Sequence, residues 1–203
     1  MVLLYEIDGV LLFVGVDKFE NDDLIKYSQR YMSETGTSVY WFHVDNFSSP
    51  HAYIRLNPGQ NEIPKKYIDL CSQIVKNGSI EGVKRPAVDV IYTECTNLSK
   101  NKSMNVGTVS FTHDAKIFYN RAVKNNPMLI KLLDRSKIEK SIPEMEKELD
   151  DIIHNFKKIK VKKNKSSNSD DEFPDVPKPM KGNMILLDVP KASTKGEDSD
   201  DFM

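Results

Sequence analysis

The residue types best suited to ligand chemistry are concentrated between residues 40 and 56. Successive side chains of a strand point to opposite faces of a sheet. If two strands in this stretch pair, one sheet face carries four rings and a guanidinium: Trp41, His43, His51, Tyr53 and Arg55. Rings stack on nucleobases, and arginine holds phosphate through two parallel hydrogen bonds. This set predicts a solvent-accessible platform for nucleic acid.

The turn that joins these two strands adds hydroxyl groups. Ser48 and Ser49 precede Pro50, and serine hydroxyls together with turn N–H groups bind phosphate oxygens. Structural explanations remain open for the ring residues as well. Trp41 could be a core residue, the two histidines could be buried structural groups, and Arg55 could pair with a nearby acid.

Catalytic and metal-binding interpretations of the same stretch have little support. Asp45, Ser48 and His51 suggest a Ser-His-Asp arrangement, but no glycine-flanked nucleophile turn accompanies them. The spacing of histidines and acids lacks a further ligand pair for a metal, and no glycine-rich phosphate loop is present. We therefore expect no enzymatic activity, no metal and no cofactor.

The surrounding sequence predicts the elements that position these residues. Asp8-Gly9 between apolar runs predicts a hairpin within residues 2–16, and Gly36 ends a helix that begins at Asn21-Asp22-Asp23 and reaches about Met32. A second helix runs from Pro64 to Lys76. The remaining predicted strands cover residues 39–44, 52–56, 88–93, 107–111 and 116–122. Residues 1–122 should thus form an α+β domain, a largely antiparallel sheet with two packed helices.

The C-terminal part differs in pattern and charge. Apolar residues recur at three- and four-residue steps from Met128 to Phe156, which predicts one amphipathic helix or two helices broken at Pro143 within residues 123–160. Such a segment could form a short coiled coil with a protein partner. Residues 161–203 are first lysine-rich and then acidic, and their composition predicts disorder. The overall net charge of −1 hides this segregation.

Composition bounds the cellular setting. The chain has two cysteines, too few for a disulfide framework, and no apolar run of membrane-spanning length. The N-terminus lacks a basic leader. We expect a reducing, cytoplasmic location, with the nucleus as a second compartment and no membrane span.

A family resemblance rests on several motifs. They are Trp41-Phe42-His43-Val44-Asp45, Ser48 to Leu56, Lys18-Phe19-Glu20-Asn21, Ser79-Ile80-Glu81-Gly82-Val83-Lys84, Val90-Ile91-Tyr92-Thr93, Asn97-Leu98 with Lys100, and Met104-Asn105-Val106-Gly107. This ensemble resembles the NFACT-R domain, the RNA-binding domain of NFACT proteins, and in particular the stand-alone coiled-coil-domain-containing protein 25 family.

The resemblance implies a non-enzymatic RNA binder linked to ribosomes and translation quality control, with tRNA or rRNA as ligand and DNA as an open alternative. Polar and basic residues in or beside the motifs complete the candidate contacts: Lys18, Lys84, Arg85, Asn97 and Lys100. The alternative function is a protein–protein adaptor that docks a partner through the C-terminal helix and uses the α+β domain as a scaffold. Association that needs Leu132 and Leu149 and resists salt would favour the adaptor, because phosphate binding weakens steeply with salt.

Overall fold

The computed structural model describes residues 1–57, 60, 62–101 and 103–166, with side chains up to residue 159. Within these residues the chain forms nine strands and four helices. The strands are β1 (Val2–Ile7), β2 (Val10–Val14), β3 (Val39–Val44), β4 (Ala52–Arg55), β5 (Ala87–Glu94), β6 (Leu98–Ser99), β7 (Ser110–Phe111), β8 (Phe118–Lys124) and β9 (Lys137–Lys140). The helices are α1 (Lys18–Thr35), α2 (Lys65–Gly78), α3 (Pro127–Ser136) and α4 (Ile142–Ser166).

Seven of the strands form one antiparallel sheet in the order β8-β5-β3-β4-β2-β1-β9, while β6 and β7 pair separately. The predicted α+β class with a largely antiparallel sheet is confirmed. The predicted Asp8-Gly9 turn is confirmed too. Both of its residues have positive φ, 52° and 74°, which is the backbone geometry that matches the twist of a two-residue hairpin.

The sheet is buried on both faces, and each face has its own core. On one face α2 and α3 pack through residues such as Leu70, Val75 and Leu133 onto the β-strand residues Phe42 and Ile54. On the other face α1 and α4 supply a second apolar layer: Leu24, Tyr31, Met145, Leu149 and Ile153. A strand that is buried on both faces has apolar residues at consecutive positions, as in Val10-Leu11-Leu12-Phe13-Val14.

The C-terminal region corrects the sequence prediction in two respects. The break between the two helices falls at residues 137–141 rather than at Pro143, and the break contains β9, which pairs with β1 along Val2–Tyr5. The helix α4 continues to Ser166, so residues 161–166 are helical instead of being the start of the predicted disordered tail. The rest of the predicted acidic tail lies outside the described residues.

The N-terminus of α1 also differs from the prediction. Asp17 is the N-cap, and its carboxylate accepts hydrogen bonds from the N–H groups of Phe19 (2.8 Å) and Glu20 (2.9 Å). The Asn21-Asp22-Asp23 run, predicted to cap the helix, therefore lies about one turn inside it. The consequence for function is that the side chains of Asn21 and Asp22 are free for other contacts.

Candidate nucleic-acid interface

The residues predicted to form a platform lie on the sheet face that α1 covers. Trp41 on β3 is directly opposite Tyr53 on β4, which confirms the predicted pairing. The predicted solvent access is wrong for three of the residues, because the exposed fractions are 2% for Trp41, 0% for Tyr53 and 3% for His51. Packing of α1 and α4 turns this face into a second core, so it is not an open platform.

Tyr53 and Arg55 attach the sheet to α1. The Tyr53 ring stacks on Phe13 with centroids 5.0 Å apart, and its hydroxyl donates a hydrogen bond to the Asn21 carbonyl at 3.2 Å. The Arg55 guanidinium lies 5.0 Å from the centroid of the Tyr31 ring and donates to the Tyr27 hydroxyl at 3.4 Å. Both side chains have internal partners that account for their positions.

The remaining three rings form a compact group that we call the ring cluster: Trp41, His43 and His51. His43 stacks parallel to Trp41 at 5.5 Å between centroids, and His51 meets Trp41 edge-on at 5.2 Å and His43 edge-on at 5.4 Å. Phe111 packs against Trp41, with ring centroids 5.8 Å apart. Each ring is thereby fixed in orientation by its neighbours.

Burial keeps both histidines of the ring cluster uncharged. Loss of hydration is the main cause that lowers the pKa of His51 from 6.5 to about 3, and the neighbouring His43 contributes to the same shift. The same loss of hydration lowers the pKa of His43, although hydrogen bonding near Val44 and the charge of Asp45 act in the opposite direction. At neutral pH the cluster therefore presents neutral rings and no positive charge.

Beside the ring cluster lies a cleft of about 780 Å³ at one end of the sheet. Its walls come from residues 15–18 before and at the start of α1, the turn 46–50 between β3 and β4, the end of α2, and residues 106–109 before β7. Half of the predicted nucleic-acid contacts line it: Lys18, Trp41, His43, Ser48, Ser49 and His51. The volume is within the range of small-molecule sites.

The serine-containing turn contributes less free polar surface than the sequence predicts. The Ser49 hydroxyl accepts from the Val44 N–H at 3.0 Å and donates to the Pro50 carbonyl at 3.1 Å. The Ser48 carbonyl accepts from the Ser79 hydroxyl at 2.6 Å, while the side chain of Ser48 is exposed. Of the two hydroxyls, that of Ser48 is therefore the one that faces solvent.

The loop 106–109 is attached to α1 through Asp22. The Asp22 carboxylate accepts from the Gly107 N–H at 3.1 Å and forms an ion pair with Lys100. Gly107 has φ +82°, and a Cβ at this position would lie 2.7 Å from the Cβ of Lys18. Lys100, predicted as a nucleic-acid contact, is thus engaged in holding this wall of the cleft.

Asn97 is a further predicted contact that the structure uses internally. Its exposed fraction is 3%. Its amide nitrogen donates to the Thr93 hydroxyl and the His113 carbonyl, both at 3.0 Å, and its amide oxygen accepts from the His113 N–H at 2.9 Å. A buried amide with these three bonds stabilises the chain reversal after β5 and has no surface to offer a ligand.

Two cations, Lys18 and Arg85, lie beside the cleft, at what we call its mouth. The Lys18 ammonium lies 5.3 Å from the centroid of the Phe19 ring, and the Arg85 guanidinium lies 4.6 Å from that of Phe47, which lines the cleft. Lys84 is exposed and 3.6 Å from the Glu81 carboxylate. Lys84 and Arg85 lie in the turn after α2, a few residues beyond Ile80 and Glu81, which line the cleft.

Several residues of the site were missed from the sequence. Asn21, Phe47 and Phe111 all line the cleft, and Asn21 was assigned to helix capping. The available signal was Asp17, a better-placed cap, which leaves Asn21 one turn inside the helix. For Phe47 and Phe111 the sequence shows only isolated aromatics, which are common in cores.

Neither a metal-ligand cluster nor a membrane-spanning helix occurs among the described residues. Among the side chains that the structure describes, no group of three His, Cys, Asp or Glu could hold a metal ion. None of the described helices is long and apolar enough to cross a membrane.

Comparison with known proteins gives the family. Residues 1–113, more than half of the chain, match the family described as the NFACT protein RNA binding domain. The chain belongs to this NFACT RNA-binding-domain family. The predicted resemblance is thereby confirmed, and the matched segment of this NFACT-family chain contains every residue that lines the cleft.

The relatives extend the match beyond that domain. Coiled-coil domain-containing protein 25 of Bos taurus is 32% identical over 200 residues, which is 95% of this chain and 92% of the relative. The homolog of this protein in Dictyostelium discoideum is 34% identical over 146 residues, 70% of this chain and 68% of the relative. The C-terminal part of the fibronectin/fibrinogen-binding protein from Streptococcus suis has a similar fold, with a TM-score of 0.50 at 18% identity over 66% of this chain and 49% of that one.

Proposed function

We propose that this NFACT-family chain binds RNA without catalysing a reaction, through the cleft and the cations at its mouth. Family membership supports RNA as the ligand. The observation that carries the proposal is which charged side chains near the cleft form ion pairs and which do not. Lys18 and Arg85 lie next to aromatic rings and pair with no carboxylate among the described residues, whereas Asp17 caps α1 and Glu81 contacts Lys84. Unpaired cations beside rings bind phosphates and stack on bases.

The finer part of the proposal concerns the RNA and the setting. We take tRNA or rRNA as the ligand and a cytoplasmic role near ribosomes in translation quality control, as the family resemblance implies. DNA of the same sequence is the informative comparison, because a protein distinguishes the two through the 2′-hydroxyl. Tighter binding of RNA than of DNA would support this part.

The test replaces two cations at the mouth and measures RNA binding as a function of salt. Lys18→Gln with Arg85→Gln should weaken binding of a mixed-sequence single-stranded RNA by roughly tenfold or more per lost contact at low salt. The log–log salt slope should fall by about 1.4, since each phosphate contact in single strands contributes about 0.7. Lys26→Gln with Lys66→Gln is the matched control, because both lysines are exposed and ion-paired elsewhere. Equal slopes for the two double variants would refute the proposal.

The protein–protein adaptor is a second candidate, and only part of its predicted docking surface is exposed. Leu149, assigned to the docking surface, has an exposed fraction of 0% and packs in the core with α1, so it cannot contact a partner. Leu132, the other residue assigned to the docking surface, is 36% exposed on α3, where Met128 is 82% exposed. Ile138 on β9 and Ile159 on α4 are also exposed. Partner binding that resists salt and is lost in Met128→Ser would favour this function.

A further inference from the structure

Buried polar atoms without partners are concentrated around the cleft. In the part of the chain that the structure describes, four buried side-chain atoms have no hydrogen-bond partner: Asn21 Oδ1, Ser28 Oγ, Trp41 Nε1 and His51 Nδ1. Three of these four residues line the cleft, and only Ser28 does not. Such atoms are rare in folded proteins, and each costs about 1–3 kcal/mol. A cluster of three at one cavity indicates that the site is built for a ligand that satisfies them.

The chemistry of the three groups restricts that ligand. The indole N–H of Trp41 can only donate, the amide oxygen of Asn21 can only accept, and a neutral His51 does one or the other at Nδ1. Mixed donors and acceptors complement the edge of a nucleobase, which also carries both. The half-buried rings of Phe47 and Phe111, which line the same cleft, offer apolar surface for the base itself.

Charge decides which part of a nucleotide enters. The histidines at the floor are neutral, since burial lowers the pKa of both. An anionic phosphate there would lose its hydration without gaining a counter-charge. The cations Lys18 and Arg85 are at the mouth. This polarity places the base inward and the phosphate outward.

We propose that the cleft is a pocket for a single unpaired RNA base, held by Asn21, Trp41 and His51 and oriented by the cations at the mouth. This inference rests on the proposed RNA binding and adds the contact that reads the base. A base outside a duplex offers its pairing edge to the protein, so the pocket selects single-stranded or terminal nucleotides over duplex.

The chain carries its own reporter for the test, because Trp41 is its single tryptophan and lines the pocket. The experiment titrates the full chain with four nucleosides, with ribose 5-phosphate, and with a single-stranded RNA, and follows Trp41 fluorescence. At least one nucleoside and the RNA should change the emission in a saturable manner, and ribose 5-phosphate should not.

Asn21→Leu removes the unpaired acceptor and keeps the volume. It should weaken nucleoside and RNA binding roughly tenfold, about 1.4 kcal/mol, while melting no lower than the unaltered chain, because no hydrogen bond to Oδ1 is lost. Ser28→Ala is the matched control on the same helix, because it also removes a buried oxygen without a hydrogen-bond partner but one that does not line the cleft, and it should leave binding unchanged.

The outcomes separate the two proposals. RNA binding with no fluorescence change and no effect of Asn21→Leu would overturn the base pocket and leave RNA binding intact. Nucleoside binding that Asn21→Leu abolishes, in a chain that does not bind RNA, would overturn the proposed function and support a site for free nucleosides. Fluorescence changes equal for ribose 5-phosphate and the nucleosides would also overturn the base pocket.

Discussion

Acid should destabilise this protein through His51 as the pH falls below 6.5. The pKa of His51 is about 3 in the folded chain because of burial, against 6.5 for a hydrated histidine. Between these values the unfolded chain binds a proton that the folded chain does not. The free energy of unfolding therefore decreases as the pH falls below 6.5, by about 1.4 kcal/mol per pH unit.

At pH 5 the loss from His51 amounts to about 2 kcal/mol relative to pH 7. Three other groups act on the ring: Asp22 raises the pKa of His51, while His43 and Lys100 lower it. His43 itself adds a loss of the same sign, because burial lowers its pKa as well. Carboxyl groups titrate mainly below this window.

The assay is urea unfolding at pH 7 and pH 5, followed by fluorescence. His51→Gln removes the titrating group, so its difference in unfolding free energy between the two pH values should be smaller by about 2 kcal/mol. His154→Gln, at an exposed position on α4, should retain the difference of the unaltered chain. A His51→Gln variant that loses as much stability between pH 7 and pH 5 as the unaltered chain would refute the reasoning.

Two further predictions concern packing and the cleft wall. Leu149→Ala should lower the free energy of unfolding by about 2–5 kcal/mol, because the side chain is fully buried. Leu132→Ala, at a 36% exposed position, should lower it much less. Equal losses for the two variants in urea unfolding would contradict the packing of α4. Gly107→Ala should be more destabilising than Gly9→Ala. Both residues have positive φ and share the backbone cost of about 1–2 kcal/mol, but a Cβ meets Lys18 at Gly107 and nothing within 4 Å at Gly9. Thermal unfolding of the two variants decides this, and equal losses would count against the close contact.

The sequence predicts the sheet better than it predicts which face is covered. The bounds of β3 and the Asp8-Gly9 turn follow from local signals, namely β-branched and aromatic content and a dipeptide that tolerates positive φ. Burial of Trp41 and Tyr53 depends on α1 and on α4, which follows roughly a hundred residues later in the chain. Alternation within a strand separates two faces but cannot say that both are covered.

The candidate site was predicted in part for a related reason. Trp41 and His51 were recognised as chemically apt, and their proximity follows from the pairing of β3 with β4. Asn21 could not be recognised in the same way. Its role depends on Asp17 capping α1 and on the loop 106–109 lying beside that helix. Contacts between distant segments have no local signature in a single sequence.

The pairing of β9 with β1 has a consequence for how the chain folds. Leu3 lies opposite Glu139, so the first and the last strand of the described residues are neighbours in space. A pairing between strands so far apart in the sequence raises the contact order, and such non-local pairing slows folding. During synthesis the outer edge of β1 stays unpaired until residue 140 has emerged, and an open edge is a site of aggregation. A fragment that ends with the family-matched segment at residue 113 lacks β9 and therefore keeps that edge open. In the complete sheet, the edge is occupied by the charged sequence Lys137-Ile138-Glu139-Lys140, which discourages the addition of a further strand.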